Sequence, residues 1–497
     1  MCEVIINIGQ KRVYAKAYKG QLLSDLIKQE AVDFAFPCAG NHTCGKCKVT
    51  VEGGVSKLTG EEAALLNESE RRDGIRLACF CHIMQNAVIK IQNSQTSILS
   101  RFEMPDFEKN KSGIGIACDI GTTSVVVKLF DIKNGLVLAE KMAENSQKAY
   151  GADVISRILS CKESDGQGLN LLSGLIRRQL EDLISKCMEE TEIEGIDAAV
   201  VTGNTTMLHI YEHLDPSSIA VSPFITQSLF GGISEQKLKN AQVYIPRCIG
   251  AYVGADLVCA ILASGMYNKQ ECTMLVDIGT NGEIALCRNG ELICCSTAAG
   301  PAFEGAGLSM GMLAADGAID SVTLENDTVQ YTVIGKGQAK GICGSGIIDL
   351  LSIMKKNHIL DETGYMANDF LIGDSGVIVT KEDIRQIQLA KSAICAGIYT
   401  LIHTVGINIS DITAIYVAGG FGNFINMESA ADIGLLPKEL LPKIKPIGNA
   451  AFAGASMILL SDRMQIISED IGKRAKELQL SQSPFFMDKY IECMMFE

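Results

Sequence analysis

The sequence predicts a multidomain α/β protein in which a small mixed domain precedes a larger, internally duplicated one. Before about Gln92, short β-type runs surround a helix-like segment, LLSDLIKQEA. From Gly113 onward, strands alternate with amphipathic helices, which is typical of a larger α/β unit. An internal echo divides that unit, because ACDIGTTSVVVKLFD (117–131) recurs in outline as LVDIGTNGEIALCRNGEL (275–292).

These changes of pattern predict four segments. They are a small domain at 1–92, a linker at 93–112, and two halves of the duplicated unit at 113–272 and 273–497, the second with a C-terminal segment. The linker is predicted because NSQTSILSRFEMPDFEKNKS loses periodicity and gains polar residues.

Local signals add detail to these segments. Thr59 and Glu62 in TGEEAALL match a capping box, which predicts a second short helix in the small domain. The apolar stretch SAICAGIYTLIHTV (392–405) is interrupted by Ser and His, and it predicts a buried helix rather than a membrane span.

Composition and charge exclude several classes of protein. The chain has 497 residues, 47% of them hydrophobic, which is enough for several buried cores. Its formal charge of -14 argues against a nucleic-acid surface, which requires clustered Lys and Arg. The beginning MCEVIINIGQ has no basic region leading into an apolar run, and no stretch has about 18 consecutive apolar residues. We therefore expect a cytoplasmic protein with neither a nucleic-acid nor a membrane partner.

The chain contains 18 cysteines, and in the cytosol these are expected to be reduced thiols rather than disulfides. Most are predicted to be small core hydrophobes, because they lie inside apolar runs. This group includes Cys118, Cys259, Cys294 and Cys295.

A second group of cysteines has metal-ligand spacing. Cys38, Cys44 and Cys47 follow a C-x5-C-x2-C pattern, and Cys79 follows in RLACFCH. Four thiolates are the usual ligand set of an iron–sulfur cluster. A zinc site and ordinary buried cysteines are the alternatives, although zinc knuckles favour two C-x2-C-type pairs. Cys81 lies two residues beyond Cys79 and would point the same way on a strand, so the fourth ligand stays open between them.

The motif DIGTT (119–123) has the features of a phosphate and Mg²⁺ site. Asp119 stands at a strand end, where a carboxylate can hold Mg²⁺ through water. Gly121 lets backbone N–H groups turn toward phosphate oxygens, and Thr122 and Thr123 add hydroxyl donors.

The motif DIGTNGE (277–283) repeats this device with Asp277, Gly279, Thr280 and Asn281. Two such hairpins facing each other could clamp phosphates between the two halves. A third element, VAGGFGNF (417–424), places two glycines after a β-run where an adenosine can approach the backbone, Gly419 and Gly420.

Three further glycine-rich strings lie between these motifs: TGNTTMLH (202–209), GPAFEGAG (300–307), which begins with Gly300, and GICGSG (341–346). Each is either an ordinary turn or a loop lining a cleft. Glu283 and Glu304 are candidate carboxylates for positioning a water molecule.

The two groups of motifs resemble two known families. The cysteine spacing over about 90 residues resembles the β-grasp ferredoxins with adrenodoxin-like spacing. That likeness implies a 2Fe-2S cluster, and the RLAC context that is usual in the family named below favours Cys79 as fourth ligand. The paired hairpins with GGFG resemble the superfamily of acetate and sugar kinases, Hsp70 chaperones and actin, which implies an actin-like, RNase H-like (ASKHA) core that binds ATP and Mg²⁺.

The combination closely resembles the reductive activators of corrinoid proteins over nearly the whole chain. The resemblance implies an ATPase that passes an electron from its 2Fe-2S cluster to the inactive cob(II)alamin of a partner corrinoid protein, regenerating cob(I)alamin. It also implies an upstream electron donor and makes a homodimer plausible. One departure is that only about 25 residues separate the ferredoxin segment from DIGTT, where fuller members of the family carry an extra middle domain.

Three other functions fit parts of the pattern. The first is an ATP-driven activator of a different metalloenzyme, and the second is a small-molecule kinase whose ferredoxin domain senses redox state. The third is an electron carrier that binds nucleotide without turnover. No recognisable sugar or acyl pocket supports the kinase.

Overall fold

The computed structural model describes residues 1–8, 11–30, 34, 42, 47–66, 68–91, 107–163, 167–325, 328–335, 337–419 and 425–496. The chain forms two compact units. The first contains Met1–Gln95 together with Ser146–Glu163, and the second contains Thr96–Asn145 together with Ser164–Glu497.

The first unit is built on a five-stranded sheet in the order β2-β1-β5-β3-β4. Its strands are β1 Cys2–Ile8, β2 Lys11–Ala17, β3 Lys48–Val55, β4 Ile75–Leu77 and β5 Ile83–Ile91. Its helices are α1 Leu23–Gln29, α2 Gly60–Ala64, α3 Glu68–Arg72 and α4 Val154–Lys162. β1 pairs antiparallel with β2 and parallel with β5, and alternate residues of β1, Val4 and Ile6, enter a core that also holds Leu26 of α1.

Helix α2 begins where the sequence predicts, but its capping differs from the prediction. The Thr59 hydroxyl accepts a hydrogen bond from the backbone N–H of Glu62, as an N-cap should. The Glu62 carboxylate instead accepts from the Arg76 guanidinium, with Oε2 2.7 Å from Nη2, and from the backbone N–H of Leu77 at 2.8 Å. The predicted capping box was therefore wrong in its second half, because a charged partner from β4 competes for the carboxylate.

Residues 146–163 were not expected in this unit. They comprise a 3₁₀ helix, Ser146–Tyr150, and α4, which is capped by reciprocal hydrogen bonds between Asp153 and Ser156. Ala149 belongs to the same apolar core as β1 and α1. The fully buried Arg157 donates to the carbonyl oxygen of Gly151 at 3.0 Å.

The second unit contains two six-stranded sheets that share the order of five of their strands. One runs β10-β11-β9-β6-β7-β8 and the other β21-β20-β12-β13-β14-β22. The strands of the first are β6 Ile114–Ile120, β7 Ser124–Asp131, β8 Leu136–Glu144, β9 Ala198–Gly203, β10 Gly232–Leu238 and β11 Ala241–Ile245. Those of the second are β12 Cys272–Ile278, β13 Gly282–Arg288, β14 Glu291–Thr297, β20 Ile412–Ala418, β21 Ile444–Gly448 and β22 Lys476–Glu477.

Each sheet has an antiparallel three-stranded meander followed by parallel strands on its other side. β6 corresponds to β12, β7 to β13, β8 to β14, β9 to β20 and β11 to β21. This repetition explains the echo in the sequence, since the two DxGT motifs occupy the same turn of the two sheets. A three-stranded sheet, β16-β15-β17, and a two-stranded sheet, β18-β19, complete the unit, with bounds β15 Ala318–Glu325, β16 Thr328–Val333, β17 Gly341–Ile342, β18 Phe370–Leu371 and β19 Ile378–Val379.

The helices of the second unit are α5 Gln167–Thr191, α6 Thr205–Tyr211, α7 Ala255–Ser264, α8 Gly344–Lys356, α9 Lys381–Val405, α10 Met427–Asp432, α11 Ala450–Leu460, α12 Asp462–Arg474 and α13 Pro484–Glu492. α7 and α11 follow equivalent strands of the two sheets and pack very closely. A Cβ on Gly454 would lie 2.0 Å from the Cys259 carbonyl oxygen, so only glycine permits this crossing. The predicted buried helix at 392–405 is the second half of α9 and is confirmed.

The described part of the predicted linker is anchored, because Lys111 Nζ donates to the Ile458 carbonyl oxygen at 3.1 Å and lies 3.3 Å from Asp462 Oδ1.

Cys118, Cys259, Cys294 and Cys295 are fully buried, as predicted. Within the described parts of the chain, no helix combines the length and apolarity that a bilayer crossing requires.

Candidate functional site

The turns of the β6–β7 and β12–β13 hairpins face one cavity in the second unit. Its volume of about 180 Å³ is many times the ~10–15 Å³ that a single water molecule needs on this measure. Most of the site residues that the sequence predicts in this unit line it: Asp119, Gly121, Thr122, Thr123, Asp277, Gly279, Thr280, Asn281 and Gly419. The candidate carboxylates Glu283 and Glu304 line it as well.

A hydroxyl and carboxylate network joins the two hairpins. The hydroxyl oxygens of Thr123 and Thr280 lie 3.0 Å apart, and both are nearly buried. Thr280 donates to Glu304 Oε2 at 2.7 Å, and Thr123 donates to the same oxygen. Glu304 thus connects a turn of the first half with a turn of the second.

Two asparagines hold the first turn by hydrogen bonds. Asn204, the N-cap of α6, donates to the Thr122 hydroxyl at 3.0 Å. Asn145, which follows β8, donates from its side chain to the Gly121 carbonyl oxygen at 2.7 Å and from its backbone to that of Thr123 at 2.8 Å. These contacts fix the conformation of the first turn.

Four carboxyl groups of the cavity have raised pKa values. Burial, with repulsion from Asp256, raises the pKa of Asp119 to about 7, although Asn449 donates a hydrogen bond that opposes the shift. Burial and the charges of Asp256 and Asp119 raise the pKa of Asp277 to about 8. Burial raises the pKa of Asp256 to about 6 and that of Glu283 well above its ordinary value. Such clustered acids bind a cation favourably.

The charge of the lining has a direct chemical consequence. Among the described residues that line the cavity there is no Lys or Arg, whereas six are Asp or Glu. A polyphosphate would therefore be repelled unless a divalent cation enters with it. Within the described residues no three His, Cys, Asp or Glu side chains are already arranged as direct metal ligands. Mg²⁺ suits such a site, since it keeps several of its waters.

The glycines predicted outside the two hairpin turns differ in their relation to the cavity. Gly419 has φ +105°, and a Cβ there would lie 2.5 Å from the Ile278 carbonyl oxygen and 2.9 Å from Asp277 Oδ1. Gly420 lies outside the described residues. Gly300 does not line the cavity, but it precedes the short helix Pro301–Glu304, which carries Glu304 into it.

Sequence reasoning missed Asp256 and several asparagines. Asp256 lies in the first turn of α7, and its only local signal is a VGAD string that any helix start could contain. Asn449 is the N-cap of α11, the helix equivalent to α7 in the second half. A search for helix starts after each repeated strand would have found both positions.

In the first unit, Cys38 and Cys44 lie outside the described residues, whereas Cys47 and Cys79 are both buried. Their sulfur atoms are 3.3 Å apart, well beyond the roughly 2.05 Å of a disulfide. Two thiolates bound to one tetrahedral metal about 2.3 Å away would lie ~3.7 Å apart. The pair therefore fits two ligands of a common iron.

Cys81 occupies a different environment from Cys79. Its sulfur lies 4.0 Å from Glu62 Oε1, and burial raises the pKa of its thiol to about 12. The Cys81 sulfur is thus engaged with a carboxylate, whereas the Cys47 and Cys79 sulfurs contact each other. The Glu62 carboxylate, held by Arg76, also accepts from the backbone N–H of Leu77, two residues before Cys79, and so supports the turn that presents that cysteine.

Family models match three parts of the chain. A model of the 2Fe-2S iron–sulfur cluster binding domain matches residues 6–84. One of the RACo middle region matches 114–269, and one of the C-terminal domain of RACo, the ASKHA domain, matches 271–497.

Whole-chain relatives give the same result. The corrinoid activation enzyme RamQ of Eubacterium limosum is 35% identical over 430 residues, which span 79% of this chain and 72% of RamQ. The chain belongs to the family of reductive activators of corrinoid proteins. The [Co(II) methylated amine-specific corrinoid protein] reductase of Methanosarcina barkeri is 26% identical to this activator over 76% of each chain. A solved structure entitled reductive activator for corrinoid,iron-sulfur protein matches with a TM-score of 0.71 and 27% identity, over 100% of this activator and 98% of that chain.

The predicted fold class and the reductive-activator function are thereby confirmed, with an iron–sulfur domain at the N-terminus and an ASKHA core after it. The model named for the RACo middle region matches 114–269, which begins at the DIGTT strand itself and therefore lies after the short segment of about 25 residues.

Proposed function

We propose that this activator couples ATP turnover in the second unit to one-electron transfer from a 2Fe-2S cluster to the cob(II)alamin of a partner corrinoid protein. The observation that carries the proposal is the meeting of DIGTT and DIGTN at one acidic cavity in a chain that also has a ferredoxin fold. The electron converts cob(II)alamin into cob(I)alamin, the nucleophile of corrinoid methyl transfer.

The proposed cluster ligands are Cys38, Cys44, Cys47 and Cys79. The contact between the Cys47 and Cys79 sulfurs supports the last two, and the environment of Cys81 disfavours it as the fourth ligand. A 2Fe-2S cluster, when bound, supplies a one-electron carrier whose potential depends on hydrogen bonds and burial. An upstream electron donor must reduce it.

The proposed nucleotide site places the ATP phosphates between the two hairpins. The backbone N–H of Gly121 and the hydroxyl of Thr122 would donate to phosphate oxygens. The hydroxyls of Thr123 and Thr280, which donate to Glu304, and the N–H of Gly279, which donates to the Asn281 carbonyl oxygen, would change partner to join them. Asp119 and Asp277 would hold Mg²⁺ through its water ligands, which neutralises part of the acidic lining. Asn281, Gly300, Gly419 and Gly420 complete the proposed binding residues by shaping the backbone.

We assign the proton-accepting role in hydrolysis to Asp256. A general base must be ionised at the working pH, and although burial raises the pKa of Asp256, backbone N–H groups at the start of α7 oppose this shift, with that of Leu257 donating to Asp256 Oδ1 at 2.8 Å. Glu283 is less suited, because its pKa is raised well above the ordinary value. Glu304 is already engaged by two threonine hydroxyls.

The coupling has a simple energetic purpose. Transfer of one electron to a centre of lower potential costs about 1.4 kcal/mol for each 59 mV. ATP can offset this cost only if it binds with different affinity to the two conformations of the activator or of its complex. A homodimer and a cytoplasmic location stay predictions.

The test uses anaerobically purified, cluster-loaded protein. ATP hydrolysis is measured with and without corrinoid proteins, while the cob(II)alamin absorbance is followed. We expect turnover that the partner stimulates and loss of the cob(II) signal that requires both ATP and a reduced cluster. Asp256→Asn should abolish hydrolysis while nucleotide still binds, and the exposed Asp488→Asn serves as the matched control.

Turnover with no corrinoid response would overturn the proposed target. Reduction of cob(II)alamin at the same rate without nucleotide would overturn the coupling. Unchanged hydrolysis in Asp256→Asn would remove the role of that residue alone.

A further inference from the structure

The C-terminal segment, defined here as residues 484–496, is fastened to one face of α9. Lys391 of α9 is fully buried, and its Nζ donates to the carbonyl oxygens of Cys493 at 2.5 Å and Met495 at 2.6 Å. Gln388, one turn earlier, donates to the Met494 carbonyl oxygen at 2.8 Å. The Lys391 ammonium also lies 4.7 Å from the centre of the Phe496 ring.

This fastening brings two cysteines together. Cys395 follows Lys391 by four residues, so the two side chains share one face of α9. Because Lys391 holds the backbone of Cys493 at this face, the Cys395 and Cys493 thiols are neighbours, and a hydrogen bond between them is the main cause of opposite shifts in their pKa values. Cys395 is 5% exposed, whereas Cys493 is partly exposed.

The surroundings make the two thiols chemically unequal. The hydrogen bond from Cys395, and then the positive charges of Lys489 and Lys391, lower the pKa of Cys493. The same hydrogen bond and burial raise the pKa of Cys395. Glu492 also faces Cys493 and opposes this lowering. The accessible sulfur is thus the better nucleophile and the buried one the poorer.

We propose that Cys395 and Cys493 form a reversible disulfide that locks the C-terminal segment onto α9. The oxidant is a small-molecule disulfide. The Cys493 thiolate attacks one of its sulfurs and expels a thiolate, which leaves a mixed disulfide. Cys395 then attacks the Cys493 sulfur and expels the second small thiol, which takes up the Cys395 proton. Two protein thiols lose two electrons, and one small disulfide gains them.

The disulfide would act on α9, a helix that packs against the second hairpin of the nucleotide site. On its other face α9 packs tightly against the β13–β14 hairpin, where a Cβ on Gly282 would lie 2.7 Å from Ile394 Cγ1. A Cβ on Gly397 would lie 2.7 Å from the side chains of both Ile284 and Thr297. A crosslink between positions 395 and 493 closes a long loop, and it therefore restricts release of the C-terminal segment without entering the cavity.

The experiment treats the full-length, cluster-loaded protein with oxidised glutathione and maps its peptides. We expect a crosslinked peptide pair containing Cys395 and Cys493, a mass decrease of about 2 Da from the two lost hydrogens, and reversal by dithiothreitol. Amide exchange in residues 484–496 should slow on the order of tenfold in the oxidised protein. Cys395→Ala and Cys493→Ala should each abolish the crosslink, and the buried Cys272→Ala should not.

Two checks keep the outcome unambiguous. Iron content is measured after oxidation, because loss of the cluster would free Cys47 and Cys79 to oxidise instead. Melting curves of the reduced variants show whether they fold. A mixed disulfide that stays on Cys493, a crosslink confined to other cysteines, or no change in mass would each overturn the proposal. None of these outcomes depends on nucleotide or corrinoid binding.

Discussion

The hydroxyl oxygens of Thr123 and Thr280 lie 3.0 Å apart, although 157 residues separate them in the chain. Each stands in the turn of a DxGT hairpin, and both donate to Glu304. A contact between the two halves of the duplicated unit therefore forms part of the cavity lining. Any motion that separates the halves must break this contact.

Replacing either threonine should weaken the contact that joins the two hairpins through Glu304. Thr123→Val or Thr280→Val removes a donor from the Glu304 carboxylate, which typically costs about 1–3 kcal/mol of unfolding free energy. We expect strongly reduced ATP hydrolysis and a lower melting temperature, with partial recovery in the corresponding serine variants. Steady-state ATPase assays and thermal melts measure this. The exposed Thr323→Val should behave like the wild type, and full activity in both cavity variants would contradict the prediction.

The raised carboxyl pKa values predict how stability depends on pH. In the folded protein Asp277 has a pKa of about 8 against an ordinary value of 3.8, so folding favours its protonated form. That stabilisation is complete below the ordinary value and is lost as the pH rises through about 8. Nucleotide-free protein should accordingly melt at a lower temperature at pH 8 than at pH 6, and Asp277→Asn should flatten this slope.

The exposed Asp316→Asn is the matched control for this pH experiment and should keep the wild-type slope. Mg²⁺ with nucleotide should restore more stability at pH 8 than at pH 6, because a cation favours the ionised carboxylates. Identical slopes in the wild type and Asp277→Asn would show that burial does not shift this group.

We predict that the lack of a side chain at Gly419, which lies beside Asp277, is essential for nucleotide binding. Gly419→Ala forces a Cβ to within 2.9 Å of Asp277 Oδ1 and keeps a positive φ, so the carboxylate must move. We expect loss of nucleotide binding by calorimetry and a destabilisation on the order of 1–3 kcal/mol. Gly406→Ala is the matched control, since Gly406 also has positive φ but has open space around it. Nucleotide binding by Gly419→Ala at wild-type affinity would refute the prediction.

The identity of the fourth cluster ligand can be decided by three variants. Cys47→Ser and Cys79→Ser should lose the visible absorption and the electron paramagnetic resonance signal of a reduced 2Fe-2S cluster, together with iron. Cys81→Ser should retain them, because the Cys81 sulfur contacts the Glu62 carboxylate, whereas the Cys47 and Cys79 sulfurs contact each other. The reverse result, with Cys81→Ser losing iron and Cys79→Ser keeping it, would exchange the two assignments.

The parts of the fold that could be predicted are those encoded by contiguous residues. DIGTT and DIGTN were readable because strand, turn glycine and hydroxyl residues follow one another directly. Asp256 could not be read in this way, because its role arises only when α7 and the two hairpins meet. Glu62 shows the opposite error, since a local capping signal was overridden by Arg76, a residue of the next strand along the chain.

The predicted boundary after Gln92 also shows that contacts between distant parts of the chain cannot be read from contiguous residues. Nothing in the sequence of residues 146–163 separates them from the α/β pattern on either side. Their place in the first unit depends on contacts such as that of Ala149 with the core around β1 and α1. Such long-range packing has no periodic signature in the chain.

The first unit is therefore discontinuous along the polypeptide, which affects how this protein can be divided or recombined. A fragment that stops at the linker would lack α4 and the Ala149 contact, so the electron carrier cannot be excised with a single cut. A chimera bearing a foreign ferredoxin would need two exchanged segments, the second embedded in the coding sequence of the ATPase. The two modules are interleaved in the gene, and a simple fusion at one junction would not reproduce that arrangement.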